Sequence, residues 1–191
     1  MIFNGKISLL RPITVDDAEI TLKWRLSERA KFLQRGAKTI EEQKSWIEAK
    51  LRTNELNFII EYKGKPVGMI ALHDISSIHR SAQLGRLLIG EDEWIGKAPV
   101  AFEAEQLLCD YAFDSMGLHK IYGDVMEDNV GMLKTRLYLG YKQDGVLRDH
   151  YIYDGIFKNT IAVSLLEGAY RAICRPKLVS LIDTLSSFGS R

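Results

Sequence analysis

The chain has little that would mark it for a special environment. Only two of its 191 residues are cysteines, Cys109 and Cys174. They carry no metal-ligand spacing, and Cys109 stands among apolar helix positions. This excludes a disulfide-stapled secreted scaffold and predicts free thiols in a reducing cytoplasm. No apolar run approaches the roughly 20 residues of a bilayer-spanning helix, and no signal-peptide pattern opens the chain. The expected location is cytoplasmic, with no membrane partner. Neither sign of charge is in excess: 26 Lys and Arg against 25 Asp and Glu leave +1, so bulk electrostatics give no case for nucleic acid. Internal repeats and low-complexity segments are missing, and no linker precedes residue 167. What remains, 46% hydrophobic and 27% charged residues, is the balance of an ordinary globular domain with a sizeable core.

Hydrophobic patterning gives a mixed order of elements. Ile7 to Pro12 reads as a strand, Thr14-Val15-Asp16-Asp17 as a helix start, and Thr39-Ile40-Glu41-Glu42 as a capping box opening a second helix. Asn57–Tyr62 and Val67–Leu72 flank the turn residues Lys63-Gly64-Lys65-Pro66 as a hairpin, and Ser81–Ile89 extends it into a meander. After Pro99, the residues Val100, Ala104, Leu107, Leu108, Tyr111 and Ala112 keep helical spacing up to Gly117. Lys120–Met126 is a strand, Asn129–Leu139 a helix, and Tyr141–Tyr153 with Ile156–Leu166 a hairpin around Asp154-Gly155. Beyond 166 the chain changes character. Arg175-Pro176 reads as a break, and Leu178, Leu181, Ile182, Leu185 and Phe188 form the stripe of a short helix, which docks either on its own domain or on a partner subunit in a homodimer. The division expected is therefore a domain over 1–166 and a helical extension over 167–191.

The stretch from Leu84 to Gly117 organises the rest. A strand, a turn through Gly96-Lys97-Ala98-Pro99 and an amphipathic helix place free backbone N–H groups at the positive end of a helix dipole, a natural seat for phosphate. Pro99 contributes no donor but suits a first helical turn.

This order of elements resembles the GCN5-related N-acetyltransferase (GNAT) fold over residues 5 to 166. The segments Gly117-Leu118-His119-Lys120-Ile121-Tyr122, Asn129 with Gly140-Tyr141 eleven residues on, Gly145-Val146-Leu147-Arg148-Asp149 and Asp154-Gly155 are similar to the ribosomal-protein N-acetyltransferase branch. Leu10-Arg11-Pro12 and Lys23-Trp24-Arg25 are similar to members that acetylate amino groups on nucleotide-linked sugars. The resemblance implies an α/β fold: a mixed sheet of about seven strands splayed between the fourth and fifth, with about four helices and a C-terminal helix. It implies acetyl-coenzyme A as acetyl donor, no metal, and a small-molecule amine as acceptor, best guessed as an amino group on a nucleotide-linked sugar. A protein N-terminus as acceptor, or a non-catalytic acyl-coenzyme A-binding module, is the alternative.

Residue by residue, the coenzyme would lie between Ser81–Ile89 and Lys120–Met126. Its pyrophosphate would rest on the N–H groups of Gly96, Lys97, Ala98, Val100 and Ala101. Glu93–Ala98 matches only the last part of the family's Gln/Arg-x-x-Gly-x-Gly/Ala pattern. The oxyanion donor, a backbone N–H at a bulge of the fourth strand, falls at Leu88–Ile89, and Asn129 would bond the pantetheine arm or simply cap its helix. Where many members carry a tyrosine acid, seven residues after the asparagine, this chain has Arg136. That arginine would steady thiolate or phosphate charge or lie on the surface. Candidates for the base are Glu127, Asp124, His73, Asp74 and His150, with Glu127 and His150 preferred. Glu127 reads equally as a solvated turn carboxylate and His73-Asp74 as an exposed turn pair. Around the acceptor the expected groups are Arg25, His73, Arg80, Arg86 and Tyr153, among basic residues that also include Lys23, Arg29 and Arg35 and that would suit a phosphorylated acceptor.

Overall fold

A computed structural model describes residues 1–34 and 36–188; Arg35 and the Phe188 side chain lie outside the described set. The chain builds one sheet from β1 (Phe3–Asn4), β2 (Ser8–Pro12), β3 (Leu56–Tyr62), β4 (Lys65–Ser76), β5 (Ser81–Ile89), β6 (Lys120–Met126), β7 (Lys142–Tyr153) and β8 (Ile156–Leu166). The spatial order is β1-β2-β3-β4-β5-β6-β8-β7, eight strands where about seven were expected. The extra one is the two-residue β1, too short to leave a periodic signal. Helices α1 (Ala18–Leu26), α2 (Ile40–Leu51), α3 (Asp92–Ile95), α4 (Val100–Asp110), α5 (Val130–Tyr138), α6 (Glu167–Ala169) and α7 (Arg175–Phe188) complete it.

Strand alternation distributes the apolar residues over two faces. In β3, Phe58 and Ile60 point to one side with Ile70 and Leu72 of β4. There α4 lays down Val100, Ala104 and Leu108, one residue per turn, over the same cluster. Ile59 and Met69 point to the other side, where α1 and α2 contribute Trp24 and Ile47. Helix starts follow the sequence: the Thr39 hydroxyl accepts from Glu42 N–H at 3.2 Å, and the Asn129 side chain caps α5 by accepting from Met132 N–H at 3.2 Å. The tail docks on its own chain. Tyr170, Cys174 and Leu178 are fully buried in the cluster beneath α4. The Arg175-Pro176 break does not materialise: a π turn over Tyr170–Cys174, closed by Arg175 N–H on the Tyr170 carbonyl, leads into α7, and Pro176 falls at its second residue, in the first turn.

Two irregularities shape the middle of the sheet. All neighbouring strands are antiparallel except β5 and β6, which run parallel and pair only through Ser81–Lys120, Ala82–Ile121 and Gln83–Tyr122 before diverging. On its other edge, β5 pairs Leu88 with Met69 and then Gly85 with Ala71. Three steps on β5 therefore face two on β4, which defines a bulge at Arg86, whose φ is 55°.

Candidate active site

Two cavities flank the diverging ends of β5 and β6, and they meet. One, of about 280 Å³, fills the gap: Leu84–Leu87 form one wall, Tyr122–Met126 the other, and Asn129, Met132, Arg136 and Tyr141 line it from α5 and the residues after it. The other, of about 490 Å³, opens beside α1 and α2 and is bounded by Arg25, Trp46, Glu55, His73, Asp74 and Tyr151 among others. Leu84, Gly85, Arg86 and Asp124 line both. The bulge and the splay thus open a passage through the sheet at one point.

The polar groups along β5 alternate across this passage. The Leu84 carbonyl points over the gap at Gly123, where a Cβ would stand 3.1 Å from its oxygen, and the Leu88 carbonyl points back at Gly68 of β4. Leu88 is therefore turned into the sheet, which corrects its expected role as oxyanion donor. The bulge shifts the phase and leaves the backbone groups of Leu87 and Ile89 on the gap side. The Ile89 carbonyl there accepts from Arg29 Nε at 3.0 Å.

In the second cavity, His73 Nδ1 lies 3.0 Å from Asp74 Oδ2, while its Nε2 lies over Gly85, 2.7 Å from where a Cβ would be. Burial and the neighbouring Arg86 charge lower the imidazole pKa, outweighing Asp74 and Glu55. Glu55 responds the other way. Burial alone would raise its pKa, but hydrogen bonds from Arg86 (2.7 Å) and Lys50 (2.8 Å) hold it at about 2. Asp124 Oδ1 accepts from Gln83 Nε2 at 2.7 Å, and burial together with Asp124 raises the Tyr151 phenol beside it.

The loop before α4 offers fewer free N–H groups than the sequence predicts. Gly96 N–H is spent on the Asp92 carbonyl at 2.9 Å and Ala98 N–H on that of Ile95 at 3.0 Å, both closing α3. Lys97, Val100 and Ala101 remain, the last two ahead of the first bond of α4, from Glu103 N–H to the Pro99 carbonyl. None of these five residues lines the gap cavity, and Ala98 instead faces a hollow beneath α7.

Several expected site residues lie elsewhere. Glu127 is an exposed turn carboxylate accepting from Asn159 Nδ2 at 3.1 Å, and it borders neither cavity. His150 is thrown outward, because β7 takes four steps from Leu147 to Tyr151 against two on β8; its ring lies tilted against Tyr151 instead. Arg80 sits at the closed end of the β5–β6 pair with Nε on the Gly117 carbonyl at 2.7 Å. Tyr153, near the hairpin tip, borders neither cavity. Arg136 does border the gap but is neither a surface cation nor free. It is buried against Glu105, with Tyr141 Oη 3.2 Å away. Burial opposes its charge, and Glu105 more than restores it. Lys23 and Arg29 are paired with Glu91 and Asp92. Arg25, His73 and Arg86 do line the second cavity. Sequence reasoning missed Tyr151, Glu55 and Gly85, although a Gly-Arg pair interrupting the run Leu84–Ile89 is itself a bulge signal.

Gly85→Ala tests the passage. The new methyl would displace the His73 ring, and a misplacement near 1 Å costs on the order of 100-fold in turnover. Acetyl-coenzyme A binding, followed by calorimetry, is expected to persist in the same variant. Unchanged turnover would remove His73 from the passage.

A parallel strand pair that diverges at a bulge in one of its members, with a helix N-terminus following that bulged strand, is the arrangement expected of the fold to which the sequence was likened. Residues 8–142 match the family described as "Acetyltransferase (GNAT) domain". The chain belongs to that family. It is similar to the Spermidine N(1)-acetyltransferase of Escherichia coli (strain K12), 29% identical over 119 residues, which is 62% of this chain and 62% of that relative. In fold it is similar to a GCN5-related N-acetyltransferase from Brucella melitensis, with a TM-score of 0.76 at 22% identity over 98% of this chain and 84% of that one. It also resembles the spermidine N-acetyltransferase of Vibrio cholerae in complex with CoA and spermine, with a TM-score of 0.75 at 21% identity, over 87% and 99% of the two chains. Among the described residues no helix is long and apolar enough to cross a membrane, and no three His, Cys, Asp or Glu side chains gather as metal ligands.

Proposed function

We propose that the protein transfers the acetyl group of acetyl-coenzyme A to a primary amine. The observation that carries this reading is the passage at Gly85, Arg86 and Asp124, where the gap between β5 and β6 opens into a second, polar cavity. A thioester in the gap and an amine in the cavity would meet there, which converts a bimolecular step into a local one.

The residues present fit the coenzyme. The amides of Lys97, Val100 and Ala101 would hold its pyrophosphate, Asn129 borders the path of its pantetheine arm, and the gap-side amides of Leu87 and Ile89 would receive the oxyanion. When bound, the coenzyme supplies the acyl group and carries the leaving thiolate. This chain's side chains would handle the amine. Asp124 attracts it as the ammonium ion. Neutral His73, with Nδ1–H given to Asp74, presents the Nε2 lone pair to take a proton directly or through water. Of the two protons the ammonium must give up as nitrogen replaces sulfur on the acyl carbon, His73 would hold one until solvent removes it, and the other would leave with the thiolate as thiol. The preference for Glu127 and His150 as bases gives way to His73, because of these three His73 alone borders the acceptor cavity.

A cavity of this size suits a small-molecule acceptor rather than a folded protein terminus. Two acceptor classes remain in view: an amino group on a nucleotide-linked sugar, as the sequence resemblance implied, and a polyamine, for which the spermidine N-acetyltransferase relatives are named.

Thermal denaturation with acetyl-coenzyme A tests the reading. Ligand at 100 times its dissociation constant adds about 2.7 kcal/mol, which for a chain of this length raises Tm by roughly 5–11 °C. No shift at millimolar acetyl-coenzyme A would overturn it. Lys97→Glu, which sets a negative charge against the pyrophosphate, is expected to weaken binding by about tenfold, read by calorimetry. Unchanged affinity would remove Lys97 from the site.

A further inference from the structure

Among the described residues the acceptor cavity is lined by three carboxylates, Glu55, Asp74 and Asp124, and three cations, Arg25, Lys50 and Arg86, and they are unevenly paired. Asp124 stands at the passage, and Asp74 lies against His73 Nδ1. Arg86 stands at the passage too, while Arg25 and Lys50 border the acceptor cavity alone. Both oxygens of Glu55 are committed, Oε1 to Lys50 and Oε2 to Arg86. Arg86 is fixed further by Asn57 Oδ1 at 2.8 Å and by the Trp46 ring beneath it. Arg25 differs. Its guanidinium donates to the Gln34 carbonyl and rests against Gly36, with Arg86 as its charged neighbour. Burial first and Arg86 second depress its pKa, and among the described residues no carboxylate acts against them. A partly buried cation facing a like charge is costly unless an anion arrives to pair with it.

We propose that the acceptor carries its own anionic group, a phosphate or carboxylate, and that Arg25 is the residue that reads it while the amine lies at the Asp124–His73 pole. This deepens the acetyltransferase reading and rests on it. A polycation would place its second charge against Arg25 and Arg86, and like charges so juxtaposed are a strong element of rejection. An amine with an anion at its far end satisfies both poles at once, and the flat guanidinium offers that anion two parallel donors. Neither Arg80 nor Arg29 takes part, since one lies outside the cavity and the other is paired with Asp92.

The test is calorimetric titration of the full chain saturated with coenzyme A, which cannot react. The probes are glucosamine 6-phosphate against glucosamine, 5-aminovalerate for the carboxylate, and spermidine for the polycation. Glucosamine 6-phosphate or 5-aminovalerate is expected to bind at least tenfold tighter than glucosamine and spermidine. Arg25→Gln is expected to bring the anionic and neutral probes within about twofold, and Arg25→Lys to keep part of the preference. Coenzyme A affinity in the variants reports whether they fold. Spermidine binding tightest, equal binding of all probes, binding of none, or a preference that survives Arg25→Gln would each overturn the proposal. Failure to bind coenzyme A at all sinks the acetyltransferase reading instead, so the two failures are told apart.

Discussion

Replacing Arg136 with methionine is expected to cost the fold about 3–5 kcal/mol, because it leaves the Glu105 carboxylate buried without its counter-charge. Glu105 and Arg136 are both almost fully buried, and Tyr141 Oη donates to the same carboxylate oxygen at 2.9 Å. The group ties α4 to α5 under the gap, so its loss loosens the gap wall that carries Asn129 and Met132. The double variant Glu105→Leu, Arg136→Met is expected to recover most of the loss, since an apolar pair of similar volume avoids the desolvation of both ions. Urea denaturation of the two single variants and the double one checks this. A single variant losing less than about 1 kcal/mol while turnover collapses would return Arg136 to direct service at the thiolate. The two cysteines beside this pair are held inert: burial pushes Cys174 up to about 12 and raises Cys109 as well.

The second large effect concerns His73. His73→Gln keeps the shape of the site and removes its proton acceptor, so turnover is expected to fall by about 10²–10⁴-fold with acetyl-coenzyme A affinity unchanged. The pH profile separates this from a packing effect. A depressed imidazole stays neutral below its ordinary value of about 6.5, so activity should hold as pH falls through that value and drop only lower, when the ring takes a proton. The Gln variant should lack that acid limb, and a limb that survives the substitution would assign the proton to another group. Stability follows the same linkage. The unfolded chain binds the His73 proton more readily than the folded one, so this group's contribution is present above about 6.5 and is lost as pH falls toward the folded value.

The fold was legible because its signals are local. Helical spacing after Pro99, the Asn129 cap and Gly117 with φ of 62° each follow from a few adjacent residues, and together they fix which two strands diverge. The site was legible only in part, because it depends on strand phase. A one-residue bulge at Arg86 moves the gap-side amides off Leu88, and the wider bulge before Tyr151 sends His150 outward and Tyr151 in. Strand alternation read without these bulges puts the wrong residue on the wrong face. Pairing across the chain is the other hidden variable. Arg136 reads as a loose cation until Glu105 is brought to it from another helix, and Arg86 reads as a loose phosphate ligand until Glu55 and Asn57 engage its Nη1. The one available hint was acidic: Glu103 and Glu105 interrupt the apolar face of α4, and both prove buried. Glu103 accepts backbone N–H groups from Lys6 to Ser8 as Glu105 accepts Arg136.

The most direct test of the central claim is amine-dependent thiol release from acetyl-coenzyme A, followed with mass spectrometry of the amine. The proposal predicts saturable release that requires an amine, with one acetyl group gained per thiol freed. Acetyl-coenzyme A that stabilises the protein yet releases no thiol with any amine, cationic, neutral or anionic, would contradict it and leave a module that binds the coenzyme without using it.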